Sequence, residues 1–315
     1  MPPQVLFSCG GFYFMNMPVK LFPLIIFIVF STAAQGMDWS VIENKEVTIL
    51  HSPSLKNAAE KIAGQYSQIK SDLEKSLGLQ LNFSPVIVLE GNHDNFLEMS
   101  GHPLVVGFAV PDKLLAVIDY TKTSRNPLSL ESITKHELCH LLLHRYIDDG
   151  MLPKWMDEGV AQWVSGGFAD IVMADHSRLD RAIAAGRYIR IKDLEKTFPW
   201  NEEHLILAYE ESKSIVDYIV RQYEPDGLLK IIHYLQTGHY INEAVSKSFS
   251  ISFDELEENW YSALEKNATW TVLFINHLYE FLFFFAGISL IIAYIRVLIR
   301  KRALKEEDQT SGMGD

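Results

Sequence analysis

The chain has 315 residues, 48% of them hydrophobic, and a formal net charge of −12 at pH 7. That balance argues against nucleic acid as a partner, because phosphate binding is driven by Lys and Arg. Two cysteines, Cys9 and Cys139, exclude a disulfide framework as the source of stability.

In chain order, Lys20 precedes the apolar run Leu21 to Phe30, and the small residues Ser31, Thr32, Ala33 and Ala34 follow. A positive flank, a short apolar stretch and a small-residue exit predict a signal peptide over residues 1–36. The run is shorter than the roughly 20 residues that a membrane span needs. From Asp38 to Asn267 lie about 230 residues, enough for one sizeable core or two small lobes.

Val47 to Leu50 reads as a strand. Leu55, Ala58, Ala59, Ile62, Ile69, Leu73 and Leu77 keep helical spacing up to Gly78. Pro85 to Leu89 is a further strand, and Val105 to Val110 and Leu114 to Ile118 are two more, joined at Pro111-Asp112. An α/β lobe is therefore expected over 37–128. Helical patterns then dominate: Ser129 to Tyr146, a helix holding Glu158 with Pro153 in its first turn, Asp175 to Ala185, Glu202 to Tyr223, Asp226 to Thr237 and Phe253 to Lys266. They predict an all-helical lobe over 129–268.

A transmembrane helix is expected within 272–299, its apolar stretch running from Leu278 to Ile299 with Glu280 and Arg296 near the ends. Arg300, Lys301, Arg302 and Lys305 follow it, whereas Glu255, Glu257 and Glu258 precede it. The positive-inside rule puts the tail, 300–315, in the cytoplasm and the body outside. Asn82 and Asn267 are glycosylation acceptors only in a eukaryotic secretory route.

The decisive motif is His136-Glu137-Leu138-Cys139-His140. On a helix, residues four apart share a face, so two imidazoles can chelate one zinc ion while the intervening Glu137 reaches the water that the metal activates. Glu137 suits proton transfer better than ligation. Glu158 follows His140 by 18 positions, room for a helix end, a turn and a returning helix, and is the best third ligand. Gly159 and Ala161 would let that helix approach the first closely. Asp157 is the rival ligand, ranked behind because it points about 100° away when Glu158 faces the metal. His144, one turn beyond His140, reads as an outer or surface residue, and Cys139 as a small buried apolar one. A third His soon after the motif is absent, since Leu143 and Tyr146 occupy the relevant positions.

His136-Glu137-x-x-His140 with Trp155-x-x-Glu158-Gly159-x-Ala161 resembles the gluzincin metallopeptidases, and most closely the peptidase MA-like membrane proteins. Ala208 to Ile219 and Phe253 to Trp260 are similar to later segments of that group, so the likeness covers roughly Thr134 to Leu264. It implies a zincin-like α+β fold, Zn2+ on His136, His140 and Glu158, Glu137 as general base, and Tyr209 as an oxyanion donor; the alternative for Tyr209 is packing between helices. No Gly-Ala-Met-Glu-Asn-like stretch precedes the metal helix, so an exopeptidase lacks support. Leu114 to Ile118 is instead a candidate edge strand for pairing with an extended peptide.

The expected activity is that of a membrane-anchored zinc metallopeptidase, a hydrolase acting on peptide or protein substrates outside the cytoplasm. The alternatives are a non-catalytic, membrane-tethered zinc-binding module and a zinc hydrolase acting on something other than peptides. Glu137 favours an enzyme, because a structural site has no use for that carboxylate.

Overall fold

The computed structural model describes residues 7–9, 12–14, 39–123, 130–167, 177–276 and 278–311. The expected signal peptide lies outside them, apart from a short antiparallel pair, β1 (Phe7–Cys9) and β2 (Phe12–Phe14). The chain forms two compact units, Met1–Tyr261 and Ser262–Asp315.

The first unit is α+β. Its five-stranded mixed sheet contains β3 (Ser40–Glu43), β4 (Thr48–His51), β5 (Val86–Glu90), β6 (Gly107–Val110) and β7 (Leu115–Asp119), in the order β3-β4-β5-β7-β6. The parallel strands β4, β5 and β7 occupy the middle, and antiparallel β3 and β6 form the edges. Parallel neighbours need crossovers, supplied by the long helix α1 (Lys56–Leu77) and the short helix α2 (His93–Ser100). The stripe Ala59, Ile62, Tyr66, Ile69, Leu73 and Leu77 on α1 is buried, and the helix stops at Gly78, whose φ of 65° suits glycine. Asn92, the N-cap of α2, accepts from the amides of Asp94 and Asn95.

One expectation is overturned. The strand covering Leu114 to Ile118 is interior, not an edge. β7 takes parallel register with β5, Val86 facing Leu115 and Glu90 facing Asp119, which leaves the outer place to the other arm of the hairpin. The edge is therefore β6. Sequence reading also missed β3 and α2, which are short and largely polar.

Among the described residues, four helices of eight or more residues follow β7 as far as Gln236. They are α3 (Leu130–Tyr146), α4 (Lys154–Ser165), α5 (Ser177–Ala184) and α6 (Glu202–Gln236). α3 lies on the sheet at β6 and β7, and α4 is packed between α3 and α6. The expected break after Tyr223 is a kink within α6: Glu224 leaves helical geometry at φ 59° and ψ 170°, and Pro225 follows. Proline removes an amide and disfavours helix in the residue before it. Helices α7 (Ile241–Phe249) and α8 (Phe253–Asn276) follow, α8 continuing beyond Tyr261 into the second unit.

The second unit contains α9 (Leu278–Ser311). Its segment Tyr279–Val297 is, among the described residues, the one helix long and apolar enough to cross a membrane, and none of its 19 residues is buried. Phe283 and Leu290 are 77% and 72% exposed. An apolar surface all around a helix fits lipid better than water.

Candidate metal centre

α3 is apolar around most of its circumference, and Leu138, Cys139, Leu141, Leu142 and Leu143 are all fully buried. His136, Glu137 and His140 share that buried environment, which is costly for polar groups unless partners converge on them. α4 brings Glu158 to the same point, at 1% exposure. The imidazole Nε2 atoms of His136 and His140 are 3.1 Å apart, and Glu158 Oε2 lies 3.6 Å from the first and 3.7 Å from the second. Among the described residues these three form the one group of donors within 4.8 Å of one another that could hold a metal ion. Around a four-coordinate ion with bonds near 2.0–2.1 Å, neighbouring donors stand about 3.3 Å apart. The observed triangle is close to that size, so the donors fit such an ion with little movement. Three protein donors leave one position for water or substrate.

Asp157 serves the cluster from behind. Its Oδ1 is 2.7 Å from His140 Nδ1, which assigns the Nδ1 proton to that hydrogen bond and leaves the Nε2 lone pair to a metal ion. Its Oδ2 is 3.3 Å from His144 Nε2, and His144 Nδ1 is 2.9 Å from Asp149. His144 thus stands outside the donor triangle. Burial would lower its pKa, but Asp157 and Asp149 outweigh that and push it up to about 10. Burial likewise works against ionised Asp157, yet His140 and His144 hold its carboxyl well below the usual range.

The two glutamates diverge. Burial would raise Glu158, but Lys154, His140 and His136 hold it at about 2. Lys154, itself 5% exposed, contacts Glu158 Oε1 at 2.7 Å. For Glu137, burial prevails over His140 and pushes the carboxyl up to about 8. Burial also lowers His136. His140 is raised, because Asp157 and Glu158 overcome the burial that would lower it. Cys139, a free buried thiol, is raised well above its usual range by burial first and by Asp157 and Glu158 next.

The edge strand comes to within contact of Glu137. A Cβ on Gly107 would fall 2.4 Å from Glu137 Oε1, so any other residue there would force the carboxylate to move. Asp119 N donates to Val106 O, so the amides and carbonyls of Gly107 and Ala109 alternate to the outer side of β6. No strand is hydrogen-bonded to that side among the described residues.

α6 closes the other side. Burial, followed by the charges of Glu158 and Glu137, raises the hydroxyl of Tyr209 well above its usual range. Its ring meets Phe198 edge to face at 5.2 Å, and Gln162 donates to its carbonyl. Gly159 does permit a close approach, but to α6 rather than to α3: a Cβ there would lie 2.3 Å from Ser212 O and 2.6 Å from Val216 Cγ2. Sequence reading thus grouped His136, Glu137, His140, Glu158 and Tyr209 but missed Lys154 and Gly107. The four-residue spacing of Lys154 and Glu158 was a usable signal for the first; nothing local marks Gly107.

Residues 110–266 match the family model described as Peptidase MA superfamily. Among solved structures, the chain is similar to the crystal structure of a mutant M1 zinc metallopeptidase from Deinococcus radiodurans, at 12% identity and a TM-score of 0.44. That match covers 71% of this chain and 51% of the other, so this chain spans about half the length of that protein. No curated protein matches.

Proposed function

We propose that this chain, whose residues 110–266 match the Peptidase MA superfamily model, is a membrane-anchored, zinc-dependent metallopeptidase cleaving peptide bonds outside the cytoplasm. The observation that carries the reading is the buried triangle of His136, His140 and Glu158 with Glu137 adjoining it. Two imidazoles and one carboxylate are the donor chemistry of a catalytic zinc site. Zinc held there supplies polarisation of the scissile carbonyl and acidification of water.

Glu137 is the general base. It takes a proton from the attacking water as the new C–O bond forms, and passes it to the leaving amine as the C–N bond breaks. Its buried position favours the protonated form, and a divalent ion held by His136, His140 and Glu158 would favour the carboxylate. Tyr209 donates a hydrogen bond from its hydroxyl to the oxyanion and keeps its proton, as its raised pKa favours. The outward backbone groups of Gly107 and Ala109 on β6 hold the substrate as an added strand.

The proposed organisation is a leader over 1–36, an α/β lobe over 37–128, a helical lobe over 129–268, a single membrane span within 272–299 and a cytoplasmic tail over 300–315. The exposed apolar helix supports the span, and the basic cluster after Ile299 supports the orientation. Digestion of a peptide library by the full chain in detergent, with and without chelator, tests the activity. Chelator-sensitive cleavage is expected, and cleavage indifferent to chelator overturns it. Reporters fused beyond Lys305 and near Lys266 test the orientation, the first expected inside and the second outside.

A further inference from the structure

Lys154 is the first residue of α4, and its side chain is almost completely buried. Nothing about the helix itself favours a lysine there. A cation in the first turn opposes the helix dipole, and Lys preceding Glu by four is the weaker order of that pair. An ammonium is buried only where negative partners compensate for the lost water. Here they are Glu158 Oε1 at 2.7 Å and Asp157 Oδ2 at 3.6 Å.

The two oxygens of Glu158 therefore have separate duties. Oε1 faces the ammonium, while Oε2 faces the imidazole nitrogens of His136 and His140 at 3.6 and 3.7 Å. We propose that Lys154 is a positioning residue that engages Oε1 of Glu158, so that this carboxylate offers one oxygen to a metal ion instead of two. The inference rests on the reading of His136, His140 and Glu158 as metal donors. One-oxygen ligation keeps the coordination number low and a position free for the carbonyl and water, which a chelating carboxylate would crowd. The backbone holds the lysine in place, since the Lys154 amide donates to Glu195 O at 2.7 Å.

The test is the visible absorption of the cobalt(II)-substituted full chain, which reports coordination number without any turnover. Lys154→Met frees Oε1, and the ligand-field bands are expected to weaken by roughly twofold or more as the second oxygen joins the ion. Lys154→Gln, a neutral side chain of similar bulk, is measured alongside so that a Met variant that does not fold leaves a usable comparison. A weakened spectrum in either folded variant supports the inference. Spectra superimposable on wild type in the folded variants overturn it while leaving the metal reading intact. Failure of the wild-type chain to take up cobalt overturns the metal reading, and the inference with it.

Discussion

Glu158 and Glu211 are buried to the same degree, at 1% and 0% exposure, yet they are held in opposite charge states. Burial works against the carboxylate in both. Glu158 has Lys154, His140 and His136 against it and stays ionised, at about 2. Glu211, on α6, accepts one amide hydrogen bond from Ile189 at 2.9 Å. Its charged neighbours are Glu210 and Glu257, and it is pushed up to about 8. Glu257 meanwhile accepts from the Ile191 amide at 2.6 Å, so two acids fasten the segment 189–191 to α6 and α8. Burial thus sets the cost of an acid, while the charges gathered around it decide whether it ionises. A cluster of converging charges is also where chemistry is expected, whereas a protonated acid on a backbone amide is a structural clasp.

Replacing each glutamate by its neutral amide sharpens the contrast. The largest effect is expected at Glu137, the acid that shares the high pKa of Glu211 but sits within the charged cluster. Glu137→Gln should retain metal and fold yet lose at least about 10²–10⁴-fold in peptide cleavage, measured at equal zinc content. Wild-type rates in that variant would remove Glu137 from the mechanism.

Glu158→Gln comes next. It withdraws an anion from a buried lysine, which typically costs about 3–5 kcal/mol, and it weakens one metal donor. Thermal unfolding and metal analysis should both report a loss, and full zinc in the variant would promote Asp157 or His144 to third ligand. Tyr209→Phe should reduce kcat on the order of 10²-fold if the hydroxyl serves the oxyanion. An unchanged rate would reduce Tyr209 to its packing against Phe198.

The smallest effect belongs to Glu211→Gln. Because the folded pKa of Glu211 is raised, the proton it binds contributes stability that is complete below about pH 4.5 and is lost as pH rises through about 8. Within that window the slope is about 1.4 kcal/mol per pH unit at most. Glu137 adds a similar trend, so the informative quantity is the difference between wild type and variant. Glu211→Gln should unfold at a temperature that falls less between pH 5 and pH 9, with activity retained. Parallel pH profiles would show that Glu211 is not the protonated acid described here.

Much of this molecule was legible in its sequence because the relevant signals are local. A four-residue spacing puts His136 and His140 on one helical face whatever surrounds them, and an apolar run of sufficient length declares itself at Tyr279–Val297. The α+β division and the break near Pro225 follow from periodicity and proline stereochemistry in the same way. Tertiary structure alone decided which arm of the β6–β7 hairpin became the edge, because that depends on β7 pairing with β5, whose residues lie far away in the chain. It decided that Gly159 faces Ser212 on α6 and that Gly107 admits Glu137, since a glycine in sequence does not say what approaches it. It also decided that the charge on Lys154 is turned inward onto Glu158: the spacing permits the pair, but only burial makes the lysine depend on it.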